Sequence, residues 1–209
     1  MELSNYFILV SFVVVSASPF DDEYTDFTQF MKILSKPRQL DRFRKGVGSL
    51  GVTSFSWSDC GAKNDPVKVT LAKINPDPVK VPGNVTFSVD LTLDDTITKP
   101  VKLVVELKKK VLFWITVPCV DNIGSCTYDD VCTMLFPSQP CPPVFQEKKI
   151  PCHCPFKAGS YSLRNFEQYI DPKGLPEWLT EGDYEAKATF THGGKELGCL
   201  QMTLSLVSG

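Results

Sequence analysis

The chain has 209 residues, of which 43% are hydrophobic and 11% aromatic. This is enough to bury one sizeable core and too little to require a second main domain. Lysine and arginine total 22 against 24 aspartate and glutamate residues, so the formal net charge is -2. The basic excess that nucleic-acid binding exploits is missing, which argues against that class of function.

The first residues predict a signal peptide over 1–17. Residues 7–15 form an apolar run of the length of a signal-peptide core, and small residues that suit cleavage after Ala17 follow it. The run is too short to span a bilayer, which needs about 20 residues. Residues 1–5 contain no lysine or arginine, so the usual basic start is missing. A buried strand is the alternative interpretation.

Residues 18–52 predict a propeptide-like or flexible arm. Its acidic start is followed by apolar residues at helical spacing, which favour a short amphipathic helix before Pro37. A basic cluster around Arg44 and Lys45 then runs into glycines, and we expect trimming there. The alternative is an ordered helix packed on the body of the protein.

Residues 53–209 predict one all-β domain. In 84–93 every second residue is apolar, as in a strand with one face in water. The same alternation recurs in 101–107, 184–190 and 200–206. Turn residues separate these segments and helical spacing is scarce, which favours an antiparallel sandwich or barrel. Residues 111–117 are apolar on both faces, so we expect either a central buried strand or a contact with lipid.

The eight cysteines predict four disulfides in an oxidising compartment. Cys152 and Cys154 lie two residues apart, so in an extended chain they share a face and are poorly placed to bond each other. Alternation turns His153 away from both sulfurs, and we therefore expect no metal and no cofactor. Asn84 opens a glycosylation sequon after a Pro-Gly turn. These signals together predict secretion or delivery to the lysosome.

Six segments between Ser54 and Leu206 carry a resemblance to a known family. They are SFSWSDC, PDPVKVPGNVT, FWITVPCVDNIGSCTYDDVC, PCHCPFKAGSYSL, LPEWLTEGDY and GKELGCLQMTLSL. Together they resemble the lysosomal GM2 ganglioside activator family of sphingolipid activators, in which every cysteine has a counterpart. Two features depart from the family: the arm over 18–52, and a segment between Cys132 and Cys141 that is a few residues short.

The resemblance implies a disulfide frame and a fold. The implied disulfides join Cys60 to Cys199, Cys119 to Cys126, Cys132 to Cys154, and Cys141 to Cys152. The implied fold is an antiparallel β-cup, a single curled sheet or open barrel around an apolar cavity for lipid tails. We expect the cavity to be lined by the inward-facing residues Val85, Phe87, Val89, Leu103, Val105, Tyr184 and Phe190.

The resemblance also implies a function without catalysis. Such a protein extracts gangliosides or related lipids from membranes and presents the headgroup to a lysosomal beta-hexosaminidase. The ligand would be a glycosphingolipid or a phospholipid. With a sequence pI near 5.7, the protein would be positive in a lysosome and attracted to anionic membranes. The residues expected to form the entrance and touch the membrane are Leu112, Phe113, Trp114, Leu175, Trp178 and Leu179.

Two other functions stay open. A lipid hydrolase would need a nucleophile or water held by a base, normally a histidine oriented by a carboxylate. The chain has two histidines and no Gly-x-Ser-x-Gly motif. A secreted lipid-binding protein on the same scaffold, with a different lipid ligand and no enzyme partner, is the second alternative. The lipids that copurify with the protein would separate this alternative from the activator function.

Overall fold

A computed structural model describes residues 54–135, 141–174 and 179–209. The predicted signal peptide and arm lie outside the described residues, as do the predicted entrance residues Leu175 and Trp178. The described part is built from β-strands with little helix, which confirms the predicted all-β class. Its helices are all too short to cross a membrane.

The strands are, in chain order, β1 (Ser56–Asp59), β2 (Val67–Asn75), β3 (Val79–Val81), β4 (Gly83–Leu93), β5 (Lys102–Lys110), β6 (Trp114–Thr116), β7 (Thr127–Tyr128), β8 (Gly159–Ile170), β9 (Gly182–His192) and β10 (Lys195–Ser208). The described helical segments are one short α-helix, α1 (Pro143–Glu147), and two 3-10 turns, Val131–Thr133 and Pro172–Gly174.

The strands form two sheets rather than the single curled sheet that the resemblance implied. The larger sheet has the order β1-β10-β9-β5-β6, with β3 added to β10 and β7 to β5, and the smaller has the order β2-β4-β8. Neighbouring strands are antiparallel except β3 and β10, which are parallel. The two sheets approach each other where β2 packs near β1 and β10. Together they form a cup rather than a closed barrel.

The hairpin between β9 and β10 shows how the sequence sets the register locally. His192 pairs with Lys195, so the loop between them has only Gly193 and Gly194. Both glycines have a positive φ, at 56° and 81°, a conformation that glycine adopts without steric cost. Two-residue hairpin loops need this backbone, because its twist matches that of the flanking strands.

The alternating apolar side chains face the space between the sheets. On β4, Val85 and Leu93 are buried, whereas Phe87, Val89 and Leu91 between them are only half-buried. If the side chains of the two sheets interdigitated along the whole strand, these middle residues would be buried too. Their partial exposure indicates that part of the interior is hollow.

The described residues between 131 and 156 close one side of this interior, and we call them the cover. Phe145 of α1 packs edge-on against Phe166 of β8, with ring centroids 6.2 Å apart. Ile97 and Phe156 exchange two backbone hydrogen bonds, of 2.8 and 2.9 Å, which join the cover to the body. The cover is therefore held both by ring packing and by backbone pairing.

Four disulfides brace the molecule, and they match the pairs that the resemblance implied. They are Cys60–Cys199, Cys119–Cys126, Cys132–Cys154 and Cys141–Cys152. The first joins the end of β1 to β10 across a sequence separation of 139 residues. The last two bind the cover to itself, so the two cysteines that flank His153 serve different bonds.

Candidate functional site

An apolar cavity lies between the two sheets, beneath the cover. Its volume is about 330 Å³, within the range of roughly 300 to 1,000 Å³ that is typical of small-molecule sites. The cavity is partly open to solvent, and none of the described residues that line it is charged. A site of this kind can bind hydrocarbon and offers nothing to hold a buried charge.

Both sheets and the cover contribute to the lining. The strands contribute Leu91 of β4, Leu163 of β8 and Leu200 of β10, and the cover contributes Phe145. Tyr161 brings a polar group, but its hydroxyl donates a hydrogen bond of 2.6 Å to the backbone carbonyl of Lys157. That hydroxyl is therefore satisfied by the protein itself, and the cavity presents an almost wholly apolar wall.

Of the seven predicted lining residues, this cavity contains Val89 and Phe190. The other five lie elsewhere in the interior. Leu103 and Val105 are buried in one cluster and Tyr184 in another, while Val85 is buried in a third cluster against which Phe87 packs. Alternation identifies the inward face of a strand, but it does not say where along that face the side chains fill the space.

Several lining residues were not among those predicted. Val67 and Val69 of β2 line the cavity, and their alternation was a usable signal. Val131 and Ile150 of the cover also line it, but the cover has no periodic pattern that could have identified them. Their position depends on how the cover is attached to the body, through the pairing of Ile97 with Phe156 and the hydrogen bond from Val131 N–H to the Val101 carbonyl.

The hairpin between β5 and β6 exposes a contiguous apolar tip, residues 111–114, which we call the apolar finger. Leu112 and Phe113 are 68% and 69% exposed, and Trp114 is 37% exposed. The run over 111–117 is therefore not a central buried strand. Only its residues 114–116 belong to a strand, β6, and β6 lies at the edge of the larger sheet. Exposed apolar residues side by side are typical of a surface that binds protein or membrane.

Lysines flank the apolar finger on β5. Lys110 places its ammonium group 5.8 Å from the centre of the Trp114 ring, a cation–π contact. Lys108 forms an ion pair of 2.8 Å with Glu185. The hydrogen bond to the Glu185 carboxylate, and then its charge, raise the pKa of Lys108. The base of the finger is thus polar and cationic while its tip is apolar.

The apolar finger and the cavity lie toward opposite ends of β5. Leu103 pairs with the cavity residue Phe190, whereas Lys110 pairs with Trp114 of the finger. At about 3.4 Å per residue, the stretch from Leu103 to Lys110 spans about 24 Å. The structure therefore separates two predicted parts of the site that the sequence could not place relative to each other.

The remaining predicted positions are distributed over the surface and the core. Leu179 is buried, 6% exposed, among Leu107, Val117 and Tyr184, rather than on the outer surface of a loop. Asn84 of the sequon is exposed on β4. His153 is also exposed, but its Nδ1 lies 3.3 Å from the Cys152 sulfur, so alternation does not turn it fully away. That sulfur is bonded to Cys141 and is not available as a metal ligand.

Apart from Lys108, the groups with the clearest pKa shifts are two buried tyrosines. Burial raises the pKa of Tyr128 to about 12, and its hydroxyl donates to the Asn122 carbonyl at 3.0 Å. Burial, followed by the charges of Glu181 and Asp183, raises the pKa of Tyr184. Both groups stay neutral at physiological pH, and neither is placed in the cavity lining.

The chain matches one family model and is similar in sequence to two named proteins. The family model for the ML domain matches residues 54–206. The chain is 42% identical over 158 residues to a ganglioside GM2 activator from Macaca fascicularis, covering 73% of this chain and 83% of that protein. It is 36% identical over 167 residues to a ganglioside GM2 activator from Mus musculus, covering 78% and 86%. Both relatives are named as activators, in agreement with the prediction of a protein that is not an enzyme.

A solved structure with some likeness is that of a Niemann-Pick type C2 protein from the Japanese carpenter ant. It has 12% sequence identity and a TM-score of 0.39, and the match covers 73% of this chain and 99% of that one. This likeness is too low to support an argument about function.

Proposed function

Because the chain belongs to the ML-domain family and is similar to ganglioside GM2 activators over most of its length, we propose that it is a non-catalytic lipid carrier. In this proposal it takes the hydrocarbon of a membrane lipid into the cavity and leaves the headgroup outside. The bound lipid is a ganglioside or a related glycolipid, and its headgroup is presented to a lysosomal beta-hexosaminidase.

The observation that carries the proposal is the apolar cavity beneath the cover. An acyl chain of about 16 carbons costs roughly 12 kcal/mol to hold in water, at about 0.8 kcal/mol per methylene. A wall of valine, leucine and phenylalanine offsets that cost for the methylenes that it covers. A cavity of about 330 Å³ shelters part of a lipid, so we expect the rest of the chain and the headgroup to extend through the opening.

Extraction also needs contact with the membrane, and the apolar finger supports it. Leu112 and Phe113 are exposed to water in the free protein, and burying each of them in lipid contributes about 1.5 to 3 kcal/mol. Trp114 suits the interface, since its ring is apolar and its N–H can remain hydrated. Lys110 beside it favours an anionic membrane.

The compartment follows from the same proposal. Four disulfides are stable in a secreted or lysosomal protein, and the predicted signal peptide would deliver the chain there. A sequence pI near 5.7 makes the protein positive below that pH, which strengthens its attraction to anionic vesicles in an acidic lysosome.

The test begins with the full chain secreted from eukaryotic cells. Mass spectrometry of the lipids that copurify should find sphingolipid, and the protein should remove ganglioside from phosphatidylcholine vesicles and speed its cleavage by added beta-hexosaminidase. A sterol or phospholipid cargo alone would overturn the ganglioside proposal and favour the carrier with another ligand. Failure to bind any lipid would overturn the carrier itself. Cleavage by the pure protein, without added enzyme, would contradict a non-catalytic function.

A further inference from the structure

Asn84 and Tyr169 face each other across the outer side of the smaller sheet. Asn84 lies on β4 and Tyr169 on β8, and the two are direct antiparallel partners. Both are exposed, Tyr169 by 56%, which makes it one of the large apolar side chains of the described surface that are most open to water. Directly opposed residues have Cβ atoms about 4.5 to 5.5 Å apart, within easy reach of an aromatic ring.

The surroundings of this pair leave room above it. The ladder between β2 and β4 ends where Asn75 pairs with Thr86, so Asn84 lies beyond the end of β2. On the other side, β8 is the edge strand of its sheet. Because both side chains are exposed, the described residues leave the space over them open on the outer face.

We propose that Tyr169 is the docking platform for the first sugars of a glycan linked to Asn84. The proposal rests on occupancy of the sequon formed by Asn84, Val85 and Thr86. It does not rest on the lipid-carrier function, and its test involves no lipid.

The chemistry of the two partners is complementary. One face of an N-acetylglucosamine ring presents a row of C–H groups, and the face of an aromatic ring carries the negative part of its quadrupole. A sugar stacked on Tyr169 would cover apolar ring surface that is otherwise in water, and it would leave the phenol hydroxyl free to bond water or the sugar. The glycan would also lie over β8, the outer strand of the described smaller sheet.

The experiment is a cycle of variants made in a glycosylating host. Thr86→Val removes the sequon but leaves Asn84 and the β-branched shape in place, and Tyr169→Thr removes the ring but keeps strand propensity. Tyr169→Phe is the matched control, because it keeps the ring and removes only the hydroxyl. Mass spectrometry establishes occupancy of Asn84, and thermal unfolding is measured for each glycosylated protein and for its Thr86→Val counterpart.

We expect Tyr169→Thr to lower the Tm of the glycosylated protein by about 2 to 4 °C more than it lowers the Tm of the Thr86→Val protein. Tyr169→Phe should show no such difference. Trimming the glycan to a single N-acetylglucosamine should keep most of the effect, and NMR should show the protons of that sugar shifted upfield by the ring of Tyr169. An equal Tm change in both backgrounds, unshifted sugar protons, or an unoccupied Asn84 would overturn the proposal.

Discussion

The cavity and the apolar finger are made of the same kinds of residue and differ in where the fold puts them. In the cavity, Val89 and Leu91 come from a strand in which polar residues alternate with apolar ones. In the finger, Leu112, Phe113 and Trp114 are consecutive and lie at the tip of a hairpin. A strand with alternating residues turns its apolar side chains to the interior and its polar side chains to water. In a contiguous apolar run at a turn, no sheet lies over the side chains, so they stay exposed.

The two regions also differ in how they are held. The cover over the cavity contains two disulfides and is paired to the body through Ile97 and Phe156. The finger is held by the short ladder between β5 and β6 and by the contact of Lys110 with Trp114. In the proposed function, the braced cavity would hold the hydrocarbon and the exposed finger would contact the membrane.

The largest expected effect is the loss of stability on removing the Cys60–Cys199 disulfide. Replacing both Cys60 and Cys199 by Ser should lower the free energy of unfolding by about 5 kcal/mol, since this disulfide closes the longest loop. Replacing both Cys119 and Cys126 by Ser, with a separation of 7 residues, should cost only about 2.5 kcal/mol. Denaturant unfolding of the two double variants tests the ranking, and equal losses would contradict it.

The next effect separates the finger from the cavity. Leu112→Ser combined with Phe113→Ser should slow lipid extraction from anionic vesicles at least about a hundredfold, because each residue contributes about 1.5 to 3 kcal/mol when buried in the bilayer. The Tm and the binding of a monomeric fluorescent fatty acid should stay unchanged, since both side chains are exposed. If binding of the monomeric fatty acid falls by the same factor as extraction, the finger is part of the ligand site and the two regions do not have separate functions.

The converse change is made inside the cavity. Leu91→Trp adds bulk to the wall and should exclude about two methylenes of ligand, which weakens binding of the same fatty acid about tenfold. Adsorption to vesicles without extraction should be retained, because the finger is untouched. A matched Leu107→Trp change would strain a filled cluster, so it should lower the Tm more than Leu91→Trp does. Unchanged affinity in Leu91→Trp would remove the cavity as the ligand site.

The smallest effect is a pH dependence of the packed core. Burial raises the pKa of Tyr128 from 10.0 to about 12, so the unfolded chain loses this proton at a lower pH than the folded protein does. Stability is therefore fully present below pH 10 and falls as the pH rises above it, by about 1 kcal/mol at pH 11 from this residue. Tyr128→Phe should flatten that alkaline decline in unfolding experiments, and an unaltered slope would contradict the assignment.

Much of the framework was predictable from local pattern. Alternation identified β4, β5, β9 and β10, and the resemblance supplied the four disulfide pairs. The run at 111–117 was recognised as unsuited to water on either face, and the resemblance implied that Leu112, Phe113 and Trp114 lie in an apolar loop at the rim of the cup. Periodicity is a property of neighbouring residues, so a single strand reveals its own inward face.

The placement of these parts was decided only in three dimensions. Whether an inward side chain meets another, as Tyr184 meets Leu107, or meets empty space, as Leu91 does, depends on the spacing of two sheets. Val131 and Ile150 reach the cavity because the cover is held over it, by the pairing of Ile97 with Phe156 and by the packing of Phe145 on Phe166. The sequence by itself determined the strands, their faces and the oxidised frame. The tertiary structure decided where the interior stays hollow, because packing between segments distant in the chain leaves no periodic trace in either of them.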